Sequence, residues 1–217
     1  MGRTIAIGDV HGCADELESL LQKINPQDND RIIQLGDLIN KGPHNHEVIQ
    51  LARAFNIEVI LGNHEHRIIK YNKKEKTNLL KSYELKTLKQ LSTKDLKFLK
   101  KLPSLIYENK LNTIFVHGGF VPGTHWYNQD LETISSVQVI NKDGKYGKRK
   151  HNVNSKYWPY YWTEKIDVIY GHTPRKRTYK KNNTLCLDTG CVYGGHLTAY
   201  CLEEKTYYKI KAKKDYT

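Results

Sequence analysis

The sequence predicts an α/β fold in which parallel strands, joined by helices, present a polar site at their carboxyl ends. Three observations predict it. Apolar runs of strand length alternate with segments of helical periodicity through residues 3–62. Five apolar runs are followed directly by Asp, His or Asn beside a glycine. No run approaches the roughly eighteen apolar residues that a membrane span requires.

The elements follow in order. Residues 3–8, RTIAIG, are an apolar strand ending at glycine, and residues 31–36, RIIQLG, repeat the pattern. Residues 57–61, IEVIL, repeat it again before Gly62. Between them Leu17, Leu20, Leu21 and Ile24 recur at helical spacing, as do Val48, Ile49, Leu51, Ala52 and Phe55 behind Pro43. Strand, helix, strand, helix, strand implies right-handed crossovers between parallel strands. Residues 66–101 hold twelve Lys or Arg against three acids and read as two or three surface helices, stopped by Pro103. Residues 113–116 and 166–170 are strands leading to His117 and to Gly171–His172. Residues 122–163 show no long periodic element. Three late strands, 183–188, 197–202 and 206–212, end the chain, the last two joined as a hairpin at Glu203–Lys205. With no repeat and no linker, residues 1–217 are expected to form a single domain.

Composition narrows the function classes. At 38% hydrophobic and 27% charged the chain has a folding composition. The start, MGRTIAIGD, reads as a strand and not as a leader, so a cytoplasmic protein is expected. Four cysteines without a CxxC pair argue against thiolate-held zinc and for reduced, packed thiols. A net charge of +12 attracts polyanions: nucleotides, RNA, polyphosphate or anionic surfaces.

The strand-terminal residues carry the chemistry. They are Asp9 and His11 in GDVHG, Asp37 after the second strand, Asn63 and His64 in GNHE, His117 in HGG, and His172 in GHT. In an open α/β sheet all of them converge on the crevice at the strand ends. Alone, His117 would read as a structural histidine and Asp37 as a turn cap; five such endings in one short chain read as a site. Carboxylate, amide and imidazole ligands suit Mn²⁺, Fe²⁺ or Zn²⁺. One ion would need Asp9 and His11, the other Asn63, His117 and His172, with Asp37 between them. Two ions sharing a carboxylate can activate a water and clamp a phosphoryl group.

These motifs, GDVHG at 8–12, GDLINKGP at 36–43, GNHE at 62–65, HGG at 117–119 and GHT at 171–173, resemble those of the calcineurin-like metallophosphoesterases, in their phosphoprotein-phosphatase branch. VHGGFVPG at 116–123 and LDTGCVYGGHLTAY at 187–200 look most like the symmetrical diadenosine tetraphosphatases and the ApaH-like phosphatases. The resemblance runs from Thr4 to about Tyr200. It implies two mixed β-sheets packed as a sandwich flanked by helices, with 66–101 as a helical insertion. It implies Asp9, His11 and Asp37 on one metal, Asp37, Asn63, His117 and His172 on the other, and His64 as general acid for the leaving group. Mn²⁺ is the expected ion, with Co²⁺, Ni²⁺, Fe²⁺ and Zn²⁺ as alternatives.

Two departures bear on substrate. Where most protein phosphatases of this branch read GDxVDRG, this chain has Asn40 and Lys41 in place of the acid and the arginine. Asn40 cannot support an imidazolium by charge, and Lys41 offers a point charge without a bidentate fork. Arg149, in the basic segment 142–181, is a candidate phosphate contact. Asp188 and Cys191 read as a structural hydrogen-bonding group and a packed thiol. The aromatics between Tyr157 and Trp162 serve either as core packing or as a stacking surface. The expected activity is hydrolysis of a nucleotide polyphosphate, such as diadenosine tetraphosphate or an RNA cap. The alternatives are a protein serine, threonine or tyrosine phosphatase, an endopolyphosphatase, and a metal-dead module that binds polyanions, RNA included.

Overall fold

The computed structural model describes residues 2–73, 75–149 and 154–217. Strands β1 (Thr4–Ile7), β2 (Arg31–Gln34) and β3 (Glu58–Val59) are parallel neighbours, separated in sequence by helices α1 (Ala14–Ile24) and α2 (Asn45–Ala54). The hairpin β12 (His196–Cys201) and β13 (Thr206–Lys211) completes this sheet by pairing antiparallel with β1, in the order β13-β12-β1-β2-β3. In the second sheet β5 (Thr113–Val116), β9 (Asp167–Tyr170) and β11 (Thr184–Cys186) are parallel. Antiparallel edges β4 (Leu105–Glu108) and β10 (Tyr179–Lys181) flank them.

Side-chain alternation makes this a sandwich. Strand residues point to opposite faces in turn, so an all-apolar strand must be covered on both. Ala6 and Ile33 of the first sheet meet Phe115, Ile169 and Leu185 of the second in one core layer. Their neighbours Ile5, Ile7 and Ile32 face outward onto Leu17, Leu20, Leu21 and Ile24 of α1 and Val48 and Ile49 of α2. Ile114, Val116, Val168 and Tyr170 face the other way, onto Phe120, Ile134, Trp158 and Trp162. Each such side chain, fully buried, contributes on the order of 1.5–3 kcal/mol. α1 lacks a side-chain cap at Cys13; Asp15 and Glu16 in its first turn complement the helix dipole instead, and Asn25 ends it in the left-handed conformation.

Among its described residues the basic segment forms three α-helices, α3 (Asn63–Lys73), α4 (Ser82–Gln90) and α5 (Thr93–Leu99), with a 3-10 turn at Thr77–Leu79. α3 starts inside the GNHE motif, so the insertion is continuous with the site and does not begin at residue 66. Between residues 122 and 163 lie a short helix α6 (Leu131–Ser136) and a three-stranded sheet of β6 (Val139–Ile140), β7 (Tyr146–Gly147) and β8 (Lys156–Tyr157). α2 begins two residues after Pro43, which therefore precedes the helix and does not start it. All four cysteines are free and buried. Among the described residues no helix is long and apolar enough to cross a membrane.

Candidate metal centre

The carboxyl ends of β1, β2 and β3 and those of β5 and β9 open onto one cavity of about 240 Å³. Asp9, His11, Asp37, Asn63, His64 and His172 line it, with Lys41 and Arg149 at its rim. The structure thus brings the strand-terminal residues together. Asp37 is the hub. Its Oδ2 lies 3.2 Å from Nε2 of His117, 3.6 Å from Nε2 of His11 and 3.9 Å from Nε2 of His64. Two groups of possible ligands share it: His11, Asp37 and His64, and Asp37, His117 and His172. Asn63 Oδ1 is 3.1 Å from His117 Nε2. Asp9 lies on the same wall, where its two carboxylate oxygens each accept from the His172 backbone N–H at 3.1 Å.

The histidines are oriented for metal binding from behind. Nδ1 of His11 is 3.1 Å from the Ile39 carbonyl, and Nδ1 of His117 is 2.8 Å from that of Leu35. Nε2 of His172 is 2.9 Å from the Ser136 carbonyl. A carbonyl only accepts, so each of these nitrogens holds a ring proton; on His11 and His172 the opposite nitrogen keeps a lone pair, while Nε2 of His117 faces Asp37 and Asn63 and gives up its proton when a cation binds. That pinning, with a shared carboxylate and an amide oxygen, is a donor set that fits two divalent cations.

The electrostatics agree. Burial alone would push all these groups toward neutrality. It does so for His11 and His172, each lowered to about 3, with Lys41 adding to the effect on the first and His117 on the second. His64 is likewise held well below its ordinary value by burial. Burial also lowers His117, but Asp37, by charge and hydrogen bond, and Asp9 outweigh it and raise that imidazole to about 10. Burial and then Asp188 push Asp9 up, and Asp188 itself rises to about 6 by burial. These are the shifts of carboxylates and imidazoles packed closely together out of water.

The loops that place the ligands are conformationally demanding. His11, Asp37, Asn40, Lys41 and His172 all have left-handed backbones, with φ of 51°, 53°, 76°, 70° and 63°. Such conformations cost on the order of 1–3 kcal/mol each and persist only where the surroundings enforce them. Glu65, fully buried, does much of the enforcing. Its Oε2 accepts from the N–H groups of Asp37 and Gly62, and its Oε1 from that of Ile39, all at 3.0 Å. Gly171 is required for close approach: a Cβ there would come within 2.1 Å of Asp9 Oδ1.

Asn40 and Lys41 lie at the site, where the family resemblance puts them. The Asn40 amide lies 3.1 Å from Nδ1 of His64, and Asn40 is fully buried. Lys41 Nζ is 2.8 Å from His11 Nε2 and 5.1 Å from the Tyr193 ring centre. Arg149 is positioned by its N–H to Gln138 Oε1 (3.0 Å) and by Nη1 to the Tyr157 hydroxyl (3.2 Å). Gln138, Lys148 and Tyr193 also line the cavity; Lys148 lies in the basic segment and Tyr193 in the LDTGCVYGGHLTAY motif, but the sequence singles out neither. Asp188 lines it too, while its Oδ1 accepts from the Gly190 N–H at 3.0 Å, the structural bond expected of it. Trp158 and Trp162 are core residues, Tyr160 and Tyr161 are exposed, and Cys191 is a buried thiol whose contact with Cys13 and burial push its pKa far up.

Comparison with known proteins places this site in a family. The family model described as calcineurin-like phosphoesterase matches residues 2–209. The chain is 27% identical to the bis(5'-nucleosyl)-tetraphosphatase PrpE [asymmetrical] of Oceanobacillus iheyensis, over 97% of this chain and 92% of that one. It is 28% identical to the symmetrical bis(5'-nucleosyl)-tetraphosphatase of Wigglesworthia glossinidia brevipalpis, over 95% and 98%. A crystal structure described as that of a candidate diadenosine tetraphosphatase superposes with a TM-score of 0.86 at 27% identity, covering 97% of this chain and 94% of that one. The fold, the shared carboxylate and these matches lead to one conclusion: the chain belongs to the calcineurin-like phosphoesterase family and is a metal-dependent phosphohydrolase.

Proposed function

We propose that the enzyme hydrolyses nucleotide polyphosphates, a dinucleotide such as diadenosine tetraphosphate or an RNA cap, with two divalent cations held around Asp37. Asp9, His11 and Asp37 would hold one, and Asp37, Asn63, His117 and His172 the other; Mn²⁺ suits this oxygen- and imidazole-rich set. When bound, the pair supplies Lewis acidity to the phosphoryl group and acidifies a water. Lys41 and Arg149 bind phosphate oxygens at the rim. His64 presents Nε2 to the departing oxygen. In the reaction the water oxygen bonds to phosphorus and one of its protons passes to solvent, while the P–O–P bond breaks and its electron pair stays on the bridging oxygen of the released nucleotide, which takes a proton from His64 Nε2.

The observation that carries the substrate class is the neutral Asn40 amide at 3.1 Å from His64 Nδ1. A charged acid would hold His64 as a strong proton donor, which a departing alkoxide requires. A departing phosphate is far less basic and needs less help. The bis(5'-nucleosyl)-tetraphosphatases among the relatives support the same class. Diadenosine tetraphosphate, capped RNA, phosphoserine peptide and polyphosphate, assayed side by side with Mn²⁺, test the proposal. The anhydrides should have the higher kcat/KM, and a tenfold preference for the phosphopeptide would overturn it.

A further inference from the structure

A second groove, of about 410 Å³, adjoins the metal centre, and Lys41 lines both. Its walls come from two parts of the chain. α4 supplies Tyr83 and Lys86, which sit three residues apart on one helix face. The segment after β13 supplies Lys214, Asp215 and Tyr216. That segment is fixed: the Tyr216 N–H donates to the Val192 carbonyl at 2.9 Å, and its hydroxyl to Glu16 Oε1 at 2.8 Å. Three lysines against one aspartate make the groove cationic, and two tyrosines give it aromatic faces. Lys86 and Lys214 are exposed and form no ion pair with a described residue.

Its position indicates what it holds. The Tyr83 ring lies 5.9 Å from that of His64, the residue that faces the departing oxygen. The groove therefore opens on the leaving-group side of the centre. Arg149 belongs with the other ligand group that shares Asp37: its N–H donates to Gln138 Oε1, and Gln138 Nε2 donates to the His172 carbonyl at 3.1 Å. Cations thus accompany both ligand groups, which suits a substrate that continues in both directions.

We infer that this groove binds the released half of a dinucleotide polyphosphate, with Lys86 and Lys214 on its phosphate chain and the tyrosines against its base. This gives the basic helical insertion a role in substrate binding, and it rests on the function proposed above. Free nucleoside polyphosphate is then a product inhibitor that occupies the same groove.

The test is the double variant Lys86→Glu/Lys214→Glu, with folding checked by circular dichroism. Its KM for diadenosine tetraphosphate and its inhibition constant for ATP should each rise about tenfold, as for reversal of two exposed contacts to a polyanion. Its kcat/KM for p-nitrophenyl phosphate should stay within about twofold. Lys86→Arg/Lys214→Arg should retain wild-type KM. An unchanged KM for the dinucleotide, or an equal loss on both substrates, overturns the subsite while leaving the proposed function standing. A wild-type enzyme that leaves diadenosine tetraphosphate intact removes both.

Discussion

Replacing Asn40 by Asp changes one atom type at a fully buried position 3.1 Å from Nδ1 of His64. The rest of the loop has reason to stay, because the Asn40 backbone N–H is held by Asn45 Oδ1 at 2.6 Å. A carboxylate there would attract an imidazolium about 4 Å away by roughly 4 kcal/mol at an effective dielectric constant near 20. Desolvating the carboxylate takes back most of that, several kcal/mol in a buried site. A net gain of about 1.4 kcal/mol raises the charged fraction of His64 about tenfold, against the burial that holds its pKa down. Ester cleavage, which needs the proton, should gain up to about tenfold, and anhydride cleavage should gain little. The assay is steady-state kcat/KM at pH 7 for a phosphoserine peptide and for diadenosine tetraphosphate, in wild type and variant. The preference for the anhydride should narrow about tenfold. An unchanged ratio in a folded, metal-replete variant would refute the reasoning from Asn40.

Three further outcomes are expected. His64→Ala should keep both metal sites and lower kcat by about 10²–10⁴-fold, less for substrates with very acidic leaving groups; loss of bound metal would make His64 a ligand, as its place beside Asp37 and His11 allows. Because His117 is raised to about 10, it is protonated in the metal-free protein at neutral pH, and a cation must displace that proton. Metal affinity should therefore rise as pH rises from 6 to 9, with proton release detected by calorimetry in buffers of different ionisation enthalpy; a flat profile would contradict the assignment of His117. Gly171→Ala should drive a methyl group into Asp9, costing about 1–3 kcal/mol in chemical denaturation and most of the activity; wild-type stability would show that the contact is relieved elsewhere.

The inner strands were legible because both of their faces are buried, which forces short uninterrupted apolar runs such as TIAI and TIFV. The polar endings were legible because the chemistry of the site falls on consecutive residues after each run. β4 and β10 were not, since an edge strand needs apolar side chains on one face at most, and β10 reads only as YKK. The small sheet of β6, β7 and β8 has two-residue strands, too short for any period to show. The proximity of Asn40 to His64 came from the family resemblance and holds at 3.1 Å. Gln138 and the Lys214–Tyr216 wall reach the clefts only through tertiary packing, which no local pattern encodes. Glu65 stood in plain view in GNHE. Its three hydrogen bonds to the loops after β2 and β3 appear only once those loops are folded against it.

The central claim is that Asp37 joins two cations into one hydrolytic centre. The most direct measurement counts bound metal and follows diadenosine tetraphosphate hydrolysis together, as Mn²⁺ is returned to chelator-stripped protein, for wild type and Asp37→Asn. Wild type should bind two ions per chain and go from no turnover to full turnover. Asp37→Asn should weaken both ions at once and lose activity by at least about a thousandfold. Full turnover in the stripped protein, or an Asp37→Asn enzyme that retains two tightly bound ions and its activity, would contradict the account.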